Sequence, residues 1–372
     1  MPSPSRLKVL LLIPHLGGGG AEHVAEMLAH FLDRAKYELH LGLVTKAASN
    51  STSLSGVTIH QLNTSRIRFS ILKIKRLIWS VRPDVILSGM AHLNLLILLL
   101  RPALPGGIRI LVRQNGELSA ILSAGPLLRF SRCLYGVAYR RAHLIIAQSQ
   151  AMKEEIKREF RIDEGRIVVL PNPVDTVLIR NTMRASDHGR RLARIRLIAV
   201  GRLVPEKGID LLLGAFASIL DRGFDAELLI AGSGFCEASL KRQAENLGIA
   251  NRVQFYGHVA NPVELFRDVS LFVLSSRTEG IPNVLLEAAA AGLPIVSTPA
   301  SGGLANLVAG REGVWLASEV STEALRAAVE SALQEIVPGR RYEHRWIEPF
   351  DVGHSIPAYE AMIDHCVEAP AN

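Results

Sequence analysis

The sequence predicts an α/β protein with two Rossmann-like domains that face each other across a cleft. Its 372 residues exceed what one hydrophobic core usually organises. Short apolar segments alternate with segments of helical periodicity, which is typical of parallel sheets covered by helices on both faces. This alternation pauses after about residue 170 and starts again at Ile195. We therefore predict one domain at residues 1–180 and a second at 181–349, with a tail at about 350–372 long enough to pack back on the first.

Twelve short apolar segments are predicted as strands, seven in the first domain and five in the second. The first seven are Lys8–Ile13, Glu38–Val44, Thr58–Leu62, Asp84–Leu87, Ile108–Val112, His143–Ala147 and Ile167–Leu170. The other five are Ile195–Val200, Glu227–Ile230, Val253–Tyr256, Leu271–Leu274 and Pro294–Ser297. The polar, basic stretch Arg180–Arg194 between the two sets is interpreted as a linker. Because ligands of such sheets bind beyond the carboxyl ends of the strands, the residues that follow each strand are the candidates for function.

The composition is that of a globular protein, with 48% hydrophobic and 21% charged residues, which excludes wholesale disorder. The three cysteines have no paired spacing, so a disulfide framework or a zinc cluster is excluded and a reducing cytosol fits. The longest apolar run, Leu93–Leu100, has eight residues, whereas about twenty are needed to span a bilayer. We expect a cytoplasmic protein that is soluble or lies peripherally on the inner face of a membrane.

The net charge of +7 is concentrated in one part of the first domain. Between Ser65 and Leu144 there are thirteen Arg or Lys residues, opposed only by Asp84 and Glu117, which leaves 29 basic and 33 acidic residues elsewhere. Such a field attracts anionic lipid, phosphate-bearing substrates or nucleic acid. The stretch lacks aromatic residues interleaved as in a nucleic-acid-binding motif. We therefore expect no nucleic-acid partner. An anionic membrane surface is the alternative partner for this basic stretch.

Four isoleucines in this basic stretch fall on one helical stripe. They are Ile67, Ile71, Ile74 and Ile78. The basic residues Lys73, Lys75 and Arg76 lie on the flanks and far side of the stripe. One interpretation is a helix packed on the sheet with a solvated basic face. The other is a surface that meets phospholipid or a lipid diphosphate acceptor, and both can hold together.

A glycine loop, Gly17–Gly20, follows the first strand and opens a predicted helix at Ala21–Leu32. Glycines remove side chains where a ligand approaches the backbone, and the helix N-terminus offers unpaired N–H groups. The spacing is not that of the dinucleotide-binding fingerprint. A ligand-binding loop and a plain flexible turn both remain open at this point.

Arg202 and Lys207 follow the first strand of the second domain, on the loop that leads into a predicted helix at Ile209–Leu220. A guanidinium and an ammonium beside a helix N-terminus are suited to bind a diphosphate. The alternative is that both are solvated surface charges.

The segment Arg277–Glu287 follows the strand Leu271–Leu274 and carries two carboxylates. Glu279 lies on the loop at the carboxyl end of the strand, and Pro282 suits the first position of the following helix. Glu287 lies one turn into that helix, among aliphatic residues. A carboxylate in such surroundings needs hydrogen-bond donors, and the hydroxyls of a ribose diol are suitable ones. Pairing with a nearby arginine, or exposure to solvent, is the alternative for Glu287.

Several of these segments carry a family resemblance. They read GRLVPEKG at 201–208, AGSG at 231–234, RVQFYGHV at 252–259 and EGIPNVLLEAAAAGLPIVST at 279–298, with a looser likeness at VRQNGELS, 112–119. The chain resembles the retaining, nucleotide-sugar-dependent glycosyltransferases of family 4, which have the GT-B fold. The likeness runs from about Leu7 to Asp364.

The resemblance implies a role for each matching position. Arg202 and Lys207 would neutralise the donor diphosphate, and Glu287 would hold the ribose. Glu279 would contact the donor sugar, helped by backbone N–H groups of the following turn. The further donor-binding positions that it implies are Gly18, Gly19, Gly20, Gly232, Gly234, Val259, Gly280, Ile281, Asn283 and Val284.

Two positions depart from the pattern of the family. Many relatives place a histidine where this chain reads Gln114-Asn115, so Asn115 is our candidate for catalysis and for acceptor contact. Relatives usually carry an acidic residue where this chain reads Leu304-Ala305-Asn306, and we have no account of that change. His92, which follows a strand end, is a second candidate on the acceptor side.

The resemblance implies transfer of a hexosyl or N-acetylhexosaminyl group from a nucleotide sugar, with UDP favoured, to a glycan or lipid-linked saccharide during surface polysaccharide assembly. No Asp-x-Asp pair occurs in the chain, so we expect no metal and no other cofactor. Three alternatives stay open: a nucleotide-sugar epimerase on the same fold, a basic nucleic-acid-binding protein, and an inactive nucleotide-sugar-binding subunit.

Overall fold

The computed structural model describes residues 6–17, 19–45, 54–64, 70–116, 128–184, 194–337 and 339–368. The chain forms two compact units. The first comprises Met1–Pro173 together with Val352–Asn372, and the second comprises Val174–Asp351. The division after Pro173 lies before the predicted boundary at residue 180, and the C-terminal segment is part of the first unit.

The first unit contains a parallel sheet with seven strands among the described residues. They are β1 (Leu7–Ile13), β2 (Tyr37–Thr45), β3 (Val57–Thr64), β4 (Val85–Ser88), β5 (Arg109–Arg113), β6 (Leu144–Ala147) and β7 (Ile167–Val169). Their spatial order is β3-β2-β1-β4-β5-β6-β7. The helices that follow these strands are α1 (Gly20–Phe31), α2 (Ile71–Val81), α3 (Ala91–Leu100), α4 (Leu128–Tyr139) and α5 (Gln150–Phe160).

The central strands of this sheet are largely apolar because helices cover both faces. In β1, Leu10 and Leu12 belong to the core on one face, while Val9, Leu11 and Ile13 belong to the core on the other. All five side chains are buried. This two-sided burial explains why the strand shows a continuous apolar run instead of an alternating pattern.

The second unit repeats the same design. Its strands are β8 (Ile195–Val200), β9 (Ala226–Ala231), β10 (Val253–Gly257), β11 (Leu271–Leu274), β12 (Ile295–Ser297) and β13 (Val314–Leu316), ordered β10-β9-β8-β11-β12-β13. Its helices are α6 (Thr176–Arg184), α7 (Ile209–Asp221), α8 (Glu237–Asn246), α9 (Asn283–Ala290), α10 (Gly302–Val308) and α11 (Thr322–Glu335). Helix α12 (Val352–Glu368) then returns to the first unit, where Tyr359 and Ile363 join the core beside β1.

The α/β prediction is confirmed, and all twelve predicted strands are present within two residues of their predicted ends. The short strand β13 was not predicted. The linker prediction is wrong for residues 180–184, which belong to α6, because the carboxylate of Asp175 accepts the N–H of Leu178 and so caps that helix. Residues 185–193 lie outside the described residues.

The isoleucine stripe is only partly as predicted. Ile74 and Ile78 are buried against the sheet, whereas Ile71 is the first residue of α2 and is exposed. Ile67 lies outside the described residues. Within the described ranges, no helix combines the length and the apolar character that crossing a bilayer requires.

Candidate functional site

The strand order of the second unit places two candidate loops side by side. Strand β8 lies between β9 and β11, and all three run parallel. The chain runs from β8 to β9 on one side and later returns to β11 on the other, so the order of strands reverses between β8 and β11. Open parallel sheets bind ligands beyond the carboxyl ends of the strands at such a reversal. The loops that carry Lys207 and Glu279 begin at this point.

Lys207 and Glu279 form the centre of the candidate site. The Lys207 ammonium makes an ion pair with Oε1 of Glu279, and both side chains are largely buried, with 22% and 11% of their area exposed. The hydroxyl of Ser276 donates a second hydrogen bond to the same oxygen, at 2.7 Å. Sequence analysis assigned both charged residues to a donor site but did not single out Ser276. It lies two residues beyond the end of β11, in the region beyond the carboxyl ends of the strands where ligands of such sheets bind.

Arg202 is exposed at the start of the loop after β8, the loop that carries Lys207. Within the described part of the chain, its guanidinium has no hydrogen bond or ion pair to a protein group. The structure therefore brings Lys207 and Glu279 into contact and leaves Arg202 as an exposed cation in the loop after β8.

Arg277 ties the loop after β11 to the loop after β8, a role that sequence analysis did not predict. Its guanidinium donates to both carboxylate oxygens of Asp210, at 2.7 and 2.6 Å, and to the carbonyl oxygen of Pro205 at 2.8 Å. The hydrogen bonds from Arg277 hold the pKa of the Asp210 carboxyl below its usual value. The same bonds raise the pKa of Arg277, so the pair remains ionised.

The turn after β9 requires glycine. A Cβ atom on Gly232 would lie 1.8 Å from the carbonyl oxygen of Gly201, and the residue has a φ of +143°. Its N–H donates to the carbonyl oxygen of Gly257 at 2.7 Å, which joins this turn to the end of β10. Gly234 is exposed in the same turn, and Val259 is half-buried just beyond β10. These three predicted nucleotide-site positions thus lie on neighbouring loops.

The turn before α9 supplies the remaining predicted positions. Gly280, Ile281 and Asn283 are buried and Val284 is half-buried. The helix begins at Asn283 with Pro282 preceding it, so the prediction of Pro282 as the first helical residue is off by one position. The first N–H groups of a helix have no partner within it. Glu287 is half-buried one turn further on and does have an interaction with the protein.

The predicted glycine-loop positions of the first unit lie at the start of α1. Gly19 precedes the helix in an extended conformation, and Gly20 is its first residue. Gly18 lies outside the described residues. His92 is exposed at the second position of α3.

Gln114 and Asn115 have different surroundings at the end of β5. Gln114 is buried and accepts a hydrogen bond from the Tyr139 hydroxyl at 2.7 Å, so its side chain serves the core. Asn115 accepts from Gln148 at 3.4 Å, while its own Nδ2 is buried with no hydrogen-bond partner among the described residues. A Cβ atom on Gly89 would lie 3.6 Å from that nitrogen. An unsatisfied buried donor is costly, which favours Asn115 over Gln114 as the residue that faces a ligand.

A cavity of about 250 Å³ lies behind the loop of Lys207. Val204, Cys236 and Leu240 are among its lining residues, as are Asp210 and Arg277, but none of the predicted donor-binding side chains lines it. We therefore do not equate this cavity with the candidate site.

Two family models match the chain, one for each unit. The model described as Glycosyltransferase Family 4 matches residues 18–178, and that described as Glycosyl transferases group 1 matches residues 185–348. Among solved structures, the sucrose-phosphate synthase of Thermosynechococcus elongatus has a TM-score of 0.78 at 17% identity, covering 97% of this chain and 99% of its own. Anabaena HepE, solved in complex with UDP, has a TM-score of 0.74 at 19% identity, covering 96% and 100%.

Curated relatives are also glycosyltransferases. An uncharacterized one from Methanocaldococcus jannaschii is 25% identical over 61% of this chain and 58% of its own length. Another from Haemophilus influenzae is 31% identical over 48% of both, so the chain spans about half the length of these two relatives. A Campylobacter jejuni protein, named as an N-acetylgalactosaminyltransferase acting on a diphospho-undecaprenol-linked saccharide, is 26% identical over 85% of this chain and 87% of its own.

The fold and the family matches define a glycosyltransferase with the GT-B fold. The chain belongs to the family-4 glycosyltransferases, as the resemblance in its sequence predicted.

Proposed function

We propose that the protein transfers a hexosyl or N-acetylhexosaminyl group from a nucleotide sugar, with UDP favoured over GDP, to a glycan or lipid-linked saccharide, with retention of configuration. The observation that carries this proposal is the pairing of Lys207 with Glu279 where the strand order of the second unit reverses. An ammonium suits a diphosphate and a carboxylate suits sugar hydroxyls, so the two halves of a nucleotide sugar have matching groups.

In this proposal the protein acts mainly by electrostatics. As the bond from the anomeric carbon to the diphosphate breaks, negative charge grows on the departing phosphate oxygen. Lys207 and the exposed Arg202 stabilise that charge, as does the positive end of the α9 helix dipole. The acceptor hydroxyl oxygen forms the new bond to the anomeric carbon, and its proton passes to the departing phosphate oxygen. Since fixed cations supply the charge, we propose that transfer needs no metal and continues in EDTA.

The names of the relatives support the choice of donor and acceptor. HepE was solved with UDP, and the Campylobacter relative is named for a saccharide on a diphospho-undecaprenol carrier. We propose a UDP-sugar donor and an acceptor of the same general kind, used in the assembly of a surface polysaccharide. Asn115, whose Nδ2 has no partner in the described part of the chain, is our candidate for contact with the bound saccharide.

We further propose that the protein works at the inner surface of the cell membrane, on which α2 rests. Leu72 and Trp79 are exposed on the outer face of this helix, at 67% and 46%, and the exposed Arg76 lies between them. Exposed apolar side chains beside a cation are suited to an interface of anionic lipid. The double variant Leu72→Ser/Trp79→Ser should lose co-sedimentation with phosphatidylglycerol vesicles. Leu178→Ser, which alters a comparably exposed leucine on α6, should not. Equal binding by all three proteins would contradict this part of the proposal.

A thermal-shift screen against UDP- and GDP-sugars tests the donor. A ligand that binds only the folded protein raises the melting temperature. We expect a UDP-sugar to give the largest shift, and Lys207→Ala and Glu287→Ala each to abolish it. An unchanged shift in both variants would refute the site, and release of an epimerised sugar without acceptor would favour the epimerase instead.

A further inference from the structure

We propose that the three consecutive residues Ser275-Ser276-Arg277, which we name the 275–277 clamp, position the two charged groups of the donor site through two separate sets of contacts. Ser276 positions the carboxylate of Glu279, whereas Ser275 and Arg277 position the turn that carries Lys207. They act as positioning residues, since each acts through another residue. The inference rests on the proposed function, because it assigns a role toward the donor that the second unit would bind.

The clamp holds every carbonyl group of the turn Pro205–Lys207. Arg277 donates from its guanidinium to the carbonyl oxygen of Pro205 at 2.8 Å, and from its backbone N–H to that of Glu206 at 2.7 Å. The Ser275 hydroxyl donates to the carbonyl oxygen of Lys207 at 2.9 Å. Three successive carbonyls of one turn are thus bound by two residues of another loop, which fixes where the Lys207 side chain begins.

Asp210 completes the anchoring of this turn. Its carboxylate binds both terminal nitrogens of Arg277, a bidentate geometry that only arginine can provide. Asp210 lies in the first turn of α7, directly after the loop of Lys207. The guanidinium therefore connects the loop after β11 to both sides of Lys207, the turn before it and the helix after it.

Ser276 acts on the other charged group. Its hydroxyl and the Lys207 ammonium both bind Oε1 of Glu279, while Oε2 receives no hydrogen bond from the part of the chain that the structure describes. Ser276 is itself only 1% exposed, and the Thr298 hydroxyl donates to its carbonyl oxygen, so it cannot turn toward solvent. With Oε1 held from two sides, Oε2 is the oxygen left to accept a hydrogen bond from a donor-sugar hydroxyl.

Because the residues of the 275–277 clamp act on different charged groups, an experiment with two ligands can distinguish a positioning role from simple packing. UDP alone carries the diphosphate but no sugar, so it tests the Lys207 side of the site. A UDP-sugar also tests Glu279. A residue that merely supports the fold would weaken both ligands to the same extent, whereas the 275–277 clamp predicts that its members affect them differently.

The experiment compares Ser276→Ala, Arg277→Lys and a matched control, Ser218→Ala. The control removes a hydroxyl that donates to a carbonyl within α7, at 3.3 Å. Calorimetry measures the affinity for UDP, and steady-state transfer uses the UDP-sugar that stabilises the wild type most among UDP-glucose, UDP-galactose and their N-acetylhexosamine counterparts.

Ser276→Ala should keep UDP affinity within twofold and lower kcat about tenfold. Arg277→Lys should lower UDP affinity about tenfold, because lysine keeps the charge but loses the bidentate contact. Ser276→Thr, which retains the hydroxyl, should recover most of kcat.

The outcomes separate the two proposals. A wild type that binds UDP and transfers sugar, with variants that lower both measures equally or neither, would overturn the clamp and leave the proposed function intact. A wild type that binds neither UDP nor any of the four UDP-sugars would overturn both.

Discussion

The ammonium of Lys207 and the carboxylate of Glu279 are paired although 72 residues separate them in the sequence. The pair forms because β8 and β11 are neighbours in the sheet, so the loops at their carboxyl ends meet. Both side chains are largely buried, so each charge has lost much of its hydration. The ion pair compensates for that loss. In the proposed reaction the donor diphosphate would compete with Glu279 for the Lys207 ammonium. Until the donor binds, the ion pair with Glu279 keeps this ammonium at the site.

Removing one partner of this pair should cost more than removing both. Lys207→Met leaves the carboxylate of Glu279 largely buried and without its counter-charge, so we expect the free energy of unfolding to fall by about 3 kcal/mol. The double variant Lys207→Met/Glu279→Gln should recover more than half of that loss. Chemical denaturation of the wild type, Lys207→Met, Glu279→Gln and the double variant gives the coupling energy through a double-mutant cycle. Additive effects of the two single substitutions would show that the ion pair contributes nothing to stability.

Gly208 should be essential to the geometry of the same loop. It has a φ of +60°, and an added Cβ atom would lie 2.0 Å from the carbonyl oxygen of Ser275. Gly208→Ala should therefore lower the free energy of unfolding by about 2 kcal/mol or more and weaken UDP binding, because the backbone after Lys207 must move. Gly248→Ala is the control, since Gly248 has a φ of +71° with nothing within 4 Å of the added atom. It should cost about 1 kcal/mol and leave UDP binding unchanged. Similar losses in both variants would mean that backbone strain alone, and not the contact with Ser275, explains the effect.

Much of the fold could be predicted from the sequence because its strands are buried on both faces. A strand such as β11 has four successive buried apolar residues, which a turn-bounded apolar run identifies well. Strand β13 was missed because its three residues, Val314–Leu316, are only half-buried and too few to form a recognisable run. The start of α6 was missed because a single capping residue, Asp175, decides it shortly after the structure-breaking Pro171-Asn172-Pro173.

The candidate site was predictable only in its charged residues. Lys207 and Glu279 stand out because each follows a strand and carries a charge suited to a nucleotide sugar. Ser276 and Arg277 could not be assigned a role, because a serine and an arginine in a loop have many possible partners. Their partners, the carboxylate of Glu279 and the carbonyls of Pro205–Lys207, are fixed only by the sheet topology.

Stability should fall as the pH drops from about 6.5 toward 4. Burial lowers the pKa of His143 to about 4, and burial likewise lowers the pKa of His60 and of His344. In this window the unfolded chain binds protons that the folded protein does not, so the free energy of unfolding rises with pH, and above about 6.5 these groups contribute no slope. The midpoint of urea unfolding, measured between pH 4.5 and 7.5, checks the trend. His143→Asn should reduce the slope, since an asparagine oxygen can accept the Ile110 N–H that His143 now accepts at 2.8 Å. An unchanged slope in this variant would exclude His143 as a contributor.

The hydrogen bond that Arg113 donates to the hydroxyl of Tyr359 should help to hold helix α12 on the first unit. Arg113 is only 2% exposed, and its Nε donates to the Tyr359 hydroxyl at 3.2 Å, while another nitrogen donates to Asn172. Tyr359→Phe removes the acceptor and leaves a buried guanidinium N–H unpaired, which should cost about 2 kcal/mol. Hydrogen exchange should show the loss as faster exchange along α12 than in the wild type. Tyr342→Phe is the matched control, because the hydroxyl of this nearly buried tyrosine makes no hydrogen bond among the described residues. Equal protection of α12 in both variants would show that apolar packing of Tyr359 and Ile363 holds the helix and that the contact with Arg113 does not.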